Sequence, residues 1–178
     1  MRPDLTALIV PLHQLTPLLQ PFLLQHVQSP AATVPPHITL HMPFLPATAI
    51  TPRVLSDLAQ LCAATPAFDS KLGNLSRFPQ AGVLYLEPDP DTALLALSTE
   101  IQRRYPEAPA DFPEPIMHLS LSYAYAAADL DRIERLFKQA YQQDLPLNAA
   151  ATSVSLYVKR NNVWHEHTVF PLARPGSR

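Results

Sequence analysis

The stretch PPHITLHMPF, residues 35–44, places polar side chains at alternate positions of an otherwise apolar run. Successive side chains of a β-strand point to opposite faces, so His37, Thr39 and His41 would share one face and the apolar side chains between them the other. The apolar face is typical of a strand that packs against a core. Folding alone does not require imidazoles and a hydroxyl opposite that core, so the polar face indicates a binding or catalytic surface.

A second stretch, HLSLSYAY at residues 118–125, repeats this pattern 81 residues later. In a strand, His118, Ser120 and Ser122 would share one face, and the Leu and Tyr residues would form the other. One histidine followed two positions later by a hydroxyl residue occurs easily by chance. Two such pairs at equivalent places on predicted strands are less expected, so the sequence predicts two matching polar strand faces.

The predicted secondary structure repeats along with these motifs. Both parts of the chain read helix, strand, helix, strand, strand. Helix starts at Thr51 and Ala128 are 77 residues apart, and turns at Gly82 and Asn162 are 80 residues apart. These similar spacings favour a twofold internal repeat.

The repeat divides the chain without splitting it into separate domains. We predict one bilobal domain over residues 1–178, with halves at about 15–88 and 91–172, a lead strand at 4–12 outside the repeat, and a tail at 173–178. The paired strands are joined by short turns, so the sheets should be largely antiparallel.

Local patterns predict the individual elements. Thr51 should cap a helix with Pro52 at its first position, and Asp91 should cap another. The remaining expectations are a short helix over 21–28 that begins at Pro21, strands at 37–44 and 115–126, a hairpin of 67–78 and 82–88, a helix over 129–143, and a final strand pair of 147–160 and 163–172.

Composition excludes several functional classes. The chain has 13 Lys and Arg residues against 15 Asp and Glu, a net charge of −2, and no basic block of the kind that holds long nucleic acids by their backbone. It shows no signal-peptide pattern and no run of 18 apolar residues, so we expect a cytoplasmic protein without a membrane partner. The single cysteine, Cys62, lies on an apolar helical stripe and is interpreted as a core thiol, which excludes an internal disulfide.

The motifs HITL at residues 37–40 and HLSL at 118–121 resemble the paired His-x-Thr/Ser-x signature of the 2H phosphoesterase superfamily. That superfamily includes bacterial 2'-5' RNA ligase-like proteins and 2',3'-cyclic phosphodiesterases. The resemblance implies an α+β fold with two pseudo-symmetric lobes, each an antiparallel sheet flanked by helices, and a central cleft between the motifs. By the same similarity, RFPQAGVLYLEP and VWHEHTVFPL look like the hairpin strands that follow each half.

The resemblance also assigns residues and a reaction. His37 and His118 would be catalytic, and Thr39 and Ser120 would bind phosphate. In-line opening of a 2',3'-cyclic phosphate needs a base and an acid on opposite sides of phosphorus, and two imidazoles suit both roles near neutral pH. The hydroxyls would donate to the non-bridging oxygens. Which histidine is the base stays open.

The expected partner is a short RNA end or a small cyclic-phosphate nucleotide, with no metal or other cofactor and a monomeric protein. The family resemblance also implies possible 2'-5' RNA ligation. Two other functional classes remain open from sequence. One is a phosphate- or nucleotide-binding module without significant turnover. The other is a metal protein that uses four histidines, His37, His41, His165 and His167.

The residues around the motifs allow two interpretations each. His41 would lie about 13 Å along the strand from His37, which favours the edge of the cleft over catalysis. Three cations end equivalent strands and could meet a phosphate or remain solvated, namely Arg77, Lys159 and Arg160. Four aromatic residues could stack a base or belong to the core, namely Phe78, Tyr85, Tyr123 and Trp164.

Overall fold

The computed structural model describes residues 4–27, 33–109, 115–123 and 125–174. Within these ranges the chain forms four α-helices and eight β-strands. In chain order they are β1 (Leu5–Pro11), α1 (Thr16–His26), β2 (His37–His41), α2 (Pro52–Ala64), β3 (Phe68–Phe78), β4 (Val83–Asp89), α3 (Thr92–Arg104), β5 (Leu119–Ser120), α4 (Ala127–Tyr141), β6 (Leu147–Ala151), β7 (Ser153–Arg160) and β8 (Val163–Pro171).

The strands form two four-stranded antiparallel sheets. Sheet one has the order β2-β1-β7-β8 and sheet two the order β5-β4-β3-β6. Helices flank both sheets, which confirms the predicted α+β fold class. The two motif strands, β2 and β5, hold equivalent positions because each is the edge strand of its sheet.

Each sheet takes strands from both predicted halves of the chain. Sheet one joins β1 and β2 to β7 and β8, whereas sheet two joins the hairpin β3–β4 to β5 and β6. The strand β1 lies beside β2 as β4 lies beside β5, although the predicted repeat leaves residues 4–12 outside. The halves 15–88 and 91–172 therefore remain a prediction about sequence, since neither builds a sheet alone.

The segment expected as one strand over 147–160 is two strands in different sheets. β6 pairs with β3 and β7 pairs with β1, and Thr152 is the single residue between them. This stretch of chain therefore connects the far side of sheet two directly to the middle of sheet one.

The helices predicted from capping signals form as expected. The Thr51 hydroxyl accepts a hydrogen bond from the Val54 N–H at 3.4 Å, and Pro52 begins α2. At α3, Asp91 occupies the N-cap position as predicted, but its side chain makes no capping hydrogen bond, and its carbonyl accepts the first helical bond from the Leu95 N–H at 3.0 Å. The buried face of α2 includes Cys62, where burial raises the pKa of the thiol to about 12 and keeps it unreactive at neutral pH.

The first helix differs from its predicted bounds. The prediction began at Pro21 and ended at 28, but α1 runs over Thr16–His26 and contains Pro21 in its interior; residue 28 lies outside the described ranges. Pro17 occupies the first turn instead, where a missing N–H costs no helical hydrogen bond. Leu19, in the added turn, is fully buried in the main core, so packing against distant segments stabilises the longer helix.

The second motif strand is much shorter than the 115–126 predicted. The N–H groups of Leu121 and Ser122 both donate to the Leu84 carbonyl, at 2.7 and 3.2 Å, so the chain bends after Ser120 and the strand alternation ends. Ser122 turns inward, is fully buried, and its hydroxyl accepts from the Leu84 N–H at 2.9 Å. Its expected place on the polar face was wrong, because this residue stabilises the bend.

The two hairpins end in residues with the same backbone conformation. Gly82, between β3 and β4, has φ 62°, and Asn162, between β7 and β8, also has φ 62°. Asparagine tolerates this left-handed region better than most residues. Glycine is needed at 82 for a further reason, since a Cβ there would lie 1.9 Å from the Tyr125 carbonyl oxygen.

Candidate active site

Three of the four motif residues lie on neighbouring edge strands of the two sheets, His37 and Thr39 on β2 and Ser120 on β5, and His118 directly precedes β5. These four residues are called the motif site below. Cα atoms of β2 and β5 approach within 8 Å of one another. The positive charge of His118 is close enough to lower the pKa of His37. The structure therefore brings the two histidines predicted from sequence to one place between the sheets.

Both imidazoles are oriented by the same backbone hydrogen bond. The Nδ1 of His37 donates to the Pro35 carbonyl at 2.8 Å, and the Nδ1 of His118 donates to the Ile116 carbonyl at 2.6 Å. A carbonyl oxygen can only accept, so Nδ1 carries the proton in each ring. Each Nε2 is then left to take a proton when the ring is neutral or to give one when it is charged.

Burial sets the protonation of this pair. It lowers the pKa of His37 and of His118 below the ordinary value of 6.5, and in each ring the carbonyl hydrogen bond partly opposes that effect. For His37, the nearby charge of His118 lowers the pKa further. Both rings are therefore mainly neutral at pH 7 in the free protein, and an arriving phosphate would favour protonation of one of them.

The motif hydroxyls hold matching places in the two sheets. Thr39 pairs with Ile9 of β1, and Ser120 pairs with Tyr85 of β4. Both side chains are half-buried. In β2, a spacing of two residues puts the Cα atoms of His37 and Thr39 about 7 Å apart, with both side chains on the same strand face.

Two aromatic residues lie against His118. For both of them, the sequence left open whether they stack on a base or belong to the core. The rings of Phe78 and Tyr85 each lie 5.1 Å from the His118 ring, centroid to centroid, and stack on one another at 4.3 Å. The sequence could not predict this contact, because the contact forms only when the hairpin β3–β4 pairs with β5. These are the residues of the site that sequence reasoning did not assign.

The corresponding face of sheet one is filled by a small apolar cluster. Ala7, Ile9, Val34 and Tyr157 are buried together there, and Trp164 packs against them. The Lys159 ammonium lies 5.9 Å from the centre of the Trp164 ring. Of the two open interpretations of Trp164, packing in a core is the one that the structure shows.

The cations at the strand ends have protein partners. The Arg77 guanidinium pairs with Asp131 and Glu134 of α4, and these carboxylates raise its pKa. Arg160 lies 3.8 Å from the Asp4 carboxylate. The structure thus gives Arg77 a role in attaching α4 to sheet two and not at the motif site.

The other histidines do not gather around the motif site. His41 is 6% exposed and its ring packs against Phe44 of the core at 6.0 Å, so the expected position at the cleft edge was wrong. His165 and His167 lie on β8, which is three strands, about 14 Å, from β2 across sheet one. Pairing between β7 and β8 skips His167, which ends the regular alternation there.

A metal centre built from these histidines is therefore not formed. Across the described ranges, no group of three or more His, Cys, Asp or Glu side chains is arranged to hold a metal ion. Burial raises the pKa of Tyr157 to about 12, and the charge of Glu166 and a hydrogen bond with its carboxylate act in the same direction. Glu166 is thus directed towards β7 and away from the neighbouring histidines.

Comparison with known proteins identifies the family. The family model of the 2'-5' RNA ligase superfamily matches residues 10–163, a range that includes both motifs. The chain belongs to the 2'-5' RNA ligase superfamily. This membership confirms the resemblance drawn from HITL and HLSL.

Two solved structures share the fold of this chain. Escherichia coli LigT complexed with 3'-AMP matches with a TM-score of 0.68 and 13% identity, covering 96% of this chain and 99% of LigT. TT0787 of Thermus thermophilus matches with a TM-score of 0.61 and 16% identity, again over 96% and 99% of the two chains. No curated protein matches the sequence. None of the helices in the described ranges has the length and apolar character needed to span a bilayer.

Proposed function

We propose that the protein is a metal-independent phosphoesterase that hydrolyses 2',3'-cyclic phosphates of RNA ends or small nucleotides. The observation that carries this proposal is the paired arrangement of the motif site. Two imidazoles whose Nδ1 atoms are bound to backbone carbonyls lie on β2 and directly before β5, two neighbouring edge strands, and each is followed two residues later by a hydroxyl residue. Membership in the 2'-5' RNA ligase superfamily supports an enzyme with phosphoester chemistry.

The reaction needs one proton acceptor and one proton donor. A neutral histidine takes a proton from water through Nε2 as the water oxygen forms a bond to phosphorus. The bond from phosphorus to one ribose oxygen breaks on the opposite side, and the protonated histidine gives its Nε2 proton to that oxygen. The product is a ribose phosphomonoester, and proton exchange with solvent returns the two rings to their starting states.

The hydroxyls act on the charge that develops at phosphorus. Thr39 and Ser120 each donate one hydrogen bond to a non-bridging oxygen, from opposite strands of the site. Proton transfer and charge stabilisation are then both supplied by side chains of the motif site. For this reason the proposal includes no metal.

Ligation would use the same groups. A ribose 5'-hydroxyl in place of water would attack the cyclic phosphate and lose its proton to the neutral histidine. The bond from phosphorus to the 3' oxygen would break, the protonated histidine would give its proton to that oxygen, and the product would be a 2'-5' phosphodiester. Whether the site prefers water or a second nucleotide as nucleophile depends on space beside the motif site. The 2'-5' RNA ligase activity is therefore proposed as a second reaction of one mechanism.

The proposed substrate is small. One LigT structure contains 3'-AMP and others contain ATP or NADP+, so that relative binds nucleotides of this size. The present chain has a net charge of −2 and no basic block, which disfavours strong binding to long RNA. A cyclic mononucleotide or the last few nucleotides of an RNA end fit both facts.

Phosphorus NMR of 2',3'-cyclic AMP incubated with the protein tests the proposal. We expect the cyclic phosphate signal to be replaced by one phosphomonoester signal, at the same rate with and without EDTA. His165→Ala, on β8, is the matched control and should keep this rate, whereas His37→Ala should lose it. Binding of the nucleotide without turnover would instead support a binding module, and activity restored by one divalent ion after EDTA would support a metal enzyme.

The proposal also retains two expectations from sequence, a monomer and a cytoplasmic location. Light scattering during size-exclusion chromatography should give a mass near 19.7 kDa. A mass twice as large would replace the monomer with a dimer, and recovery of the native protein outside the cytoplasmic fraction would contradict the location.

A further inference from the structure

We propose that Phe78 and Tyr85 are positioning residues that hold the His118 ring in its working orientation. The inference rests on the proposed function for its catalytic meaning, but its structural part can be tested in the free protein. It concerns the region where the hairpin β3–β4 contacts the start of β5.

The two rings enclose one side of the imidazole. Phe78 meets His118 edge-to-face, with an angle of 81° between ring planes, and Tyr85 meets it at 56°. Phe78 and Tyr85 are nearly parallel to each other, at 26°. A ring in contact with two others at different angles cannot rotate about its χ2 angle without losing at least one of these contacts.

The backbone holds His118 less firmly than it holds His37. His37 is the first residue of β2 and is paired with Pro11 of β1. His118 lies just before β5, whose two residues pair with Leu86 and Tyr85. The carbonyl that receives the His118 Nδ1–H belongs to Ile116, in an irregular segment where the Ile116 side chain is 55% exposed.

The supporting rings are themselves well fixed. Tyr85 lies in the middle of β4, paired on one side with Ser120 and on the other with Ser76, and is 5% exposed. Phe78 is the last residue of β3 and pairs with Val83. The position in sheet one that corresponds to Tyr85, beside Thr39, is occupied by Ile9, an aliphatic residue. Side-chain packing therefore fixes the position of His118, whereas strand pairing fixes the position of His37.

The first test measures ring states by long-range proton–nitrogen NMR of the free protein. In the natural sequence we expect both histidines to carry the neutral-state proton on Nδ1. In Phe78→Leu we expect His118 to show a mixture of Nδ1–H and Nε2–H forms, while His37 stays unchanged. Phe68→Leu, the same substitution at the other end of β3, is the matched control and should leave both rings as they were.

The second test measures turnover of 2',3'-cyclic AMP. Phe78→Leu should reduce kcat by about tenfold to a hundredfold, the range found when the group orienting a functional side chain is removed. KM should stay within about twofold, one limb of the pH–rate profile should move because His118 takes part in proton transfer, and Phe78→Tyr, which keeps a ring, should restore kcat. Phe78→Met repeats the test with a second ring-free side chain if the leucine variant folds poorly.

Two outcomes would overturn the inference. An unchanged His118 proton distribution in both folded ring-free variants would show that the rings do not orient it. A large rise in KM with unchanged kcat would show that Phe78 contacts the substrate instead. Failure of the proposed function would look different, because the protein would then turn over no cyclic phosphate while the NMR result for His118 still stood.

Discussion

The two halves of the motif site reach the same local geometry by different means. In sheet one, His37 belongs to a five-residue strand whose pairing with β1 runs from His37 to His41. In sheet two, His118 precedes a two-residue strand and lies against Phe78 and Tyr85. Yet each imidazole donates from Nδ1 to the carbonyl two residues earlier. What the two halves share is the position of the functional atoms, and the surrounding packing is free to differ.

The largest expected effect comes from removing either of the two imidazoles. His37→Ala or His118→Ala removes a proton-transfer group, so each should reduce hydrolysis of a 2',3'-cyclic phosphate by roughly 10² to 10⁴. Attack of the nucleophile and departure of the leaving group are coupled. The loss of rate in the double variant should therefore be far smaller than the product of the two single losses. Initial rates with folded variants measure this, and full activity in His118→Ala would refute paired catalysis.

The next effect concerns the hydroxyls. Thr39→Ala and Ser120→Ala each remove one donor to a charged oxygen, and each should reduce the rate by about tenfold to a thousandfold while melting close to the natural protein. Thr39→Ser and Ser120→Thr keep the hydroxyl and are the matched controls, expected to retain most activity. Comparable losses in both halves are expected, and loss in one alone would show that a single hydroxyl contacts the phosphate.

A third experiment compares the two hairpin turns. Gly82→Ala should lower the free energy of unfolding by at least about 2 kcal/mol, because the new Cβ meets backbone atoms of Tyr125 in addition to the strain of a positive φ. Asn162→Ala has the same φ, and it should cost about 1 kcal/mol from backbone strain. Urea denaturation measures the free energy of unfolding of both variants. Equal losses would mean that the backbone at Tyr125 moves away from the new Cβ without a measurable energetic penalty.

The smallest effect is on the pKa values of the histidines. The charge of His118 lowers the pKa of His37, so His118→Gln should raise the pKa of His37 towards 6.5, whereas burial should still keep it below that value. NMR titration of the free protein measures the shift. No movement of the His37 pKa would place the rings too far apart to act on one phosphate.

The same lowered pKa values make stability depend on pH with a definite sign. Below about pH 6.5 the unfolded chain takes up protons on these histidines before the folded protein does. Their contribution to the free energy of unfolding is therefore complete above pH 6.5 and is lost as the pH falls towards their folded-state pKa values. His37→Gln should flatten this part of the curve in urea denaturation experiments.

Sequence patterns were sufficient for the features that depend on neighbouring residues. Alternation identified His37, Thr39, His118 and Ser120 as polar strand residues, and capping residues located α2. The structure places the two motif strands side by side, as the family resemblance implied. The catalytic and phosphate-binding roles of the four side chains remain predictions.

Features that depend on distant segments could not be predicted in this way. Two prolines, Pro17 and Pro21, are both compatible with a first helical turn, and the burial of Leu19 in the core favours the earlier start. Ser122 continues the alternation in sequence but leaves the strand because two N–H groups share the Leu84 carbonyl. The approach of Phe78 to His118 likewise depends on which hairpin joins which sheet.

The exchange of strands between the two halves of the chain has a consequence for folding. A chain cut near residue 90 would leave sheet one without β7 and β8, and sheet two without β5 and β6, so neither fragment holds a complete sheet. The two fragments should be unstructured apart and regain activity only when mixed. Trp164, the only tryptophan, lies in sheet one, and its fluorescence should report the same unfolding midpoint as circular dichroism of the entire molecule. Gene duplication followed by exchange of hairpins would account for such mutual dependence, since the ancestral half would have needed a second copy of itself to complete its sheet.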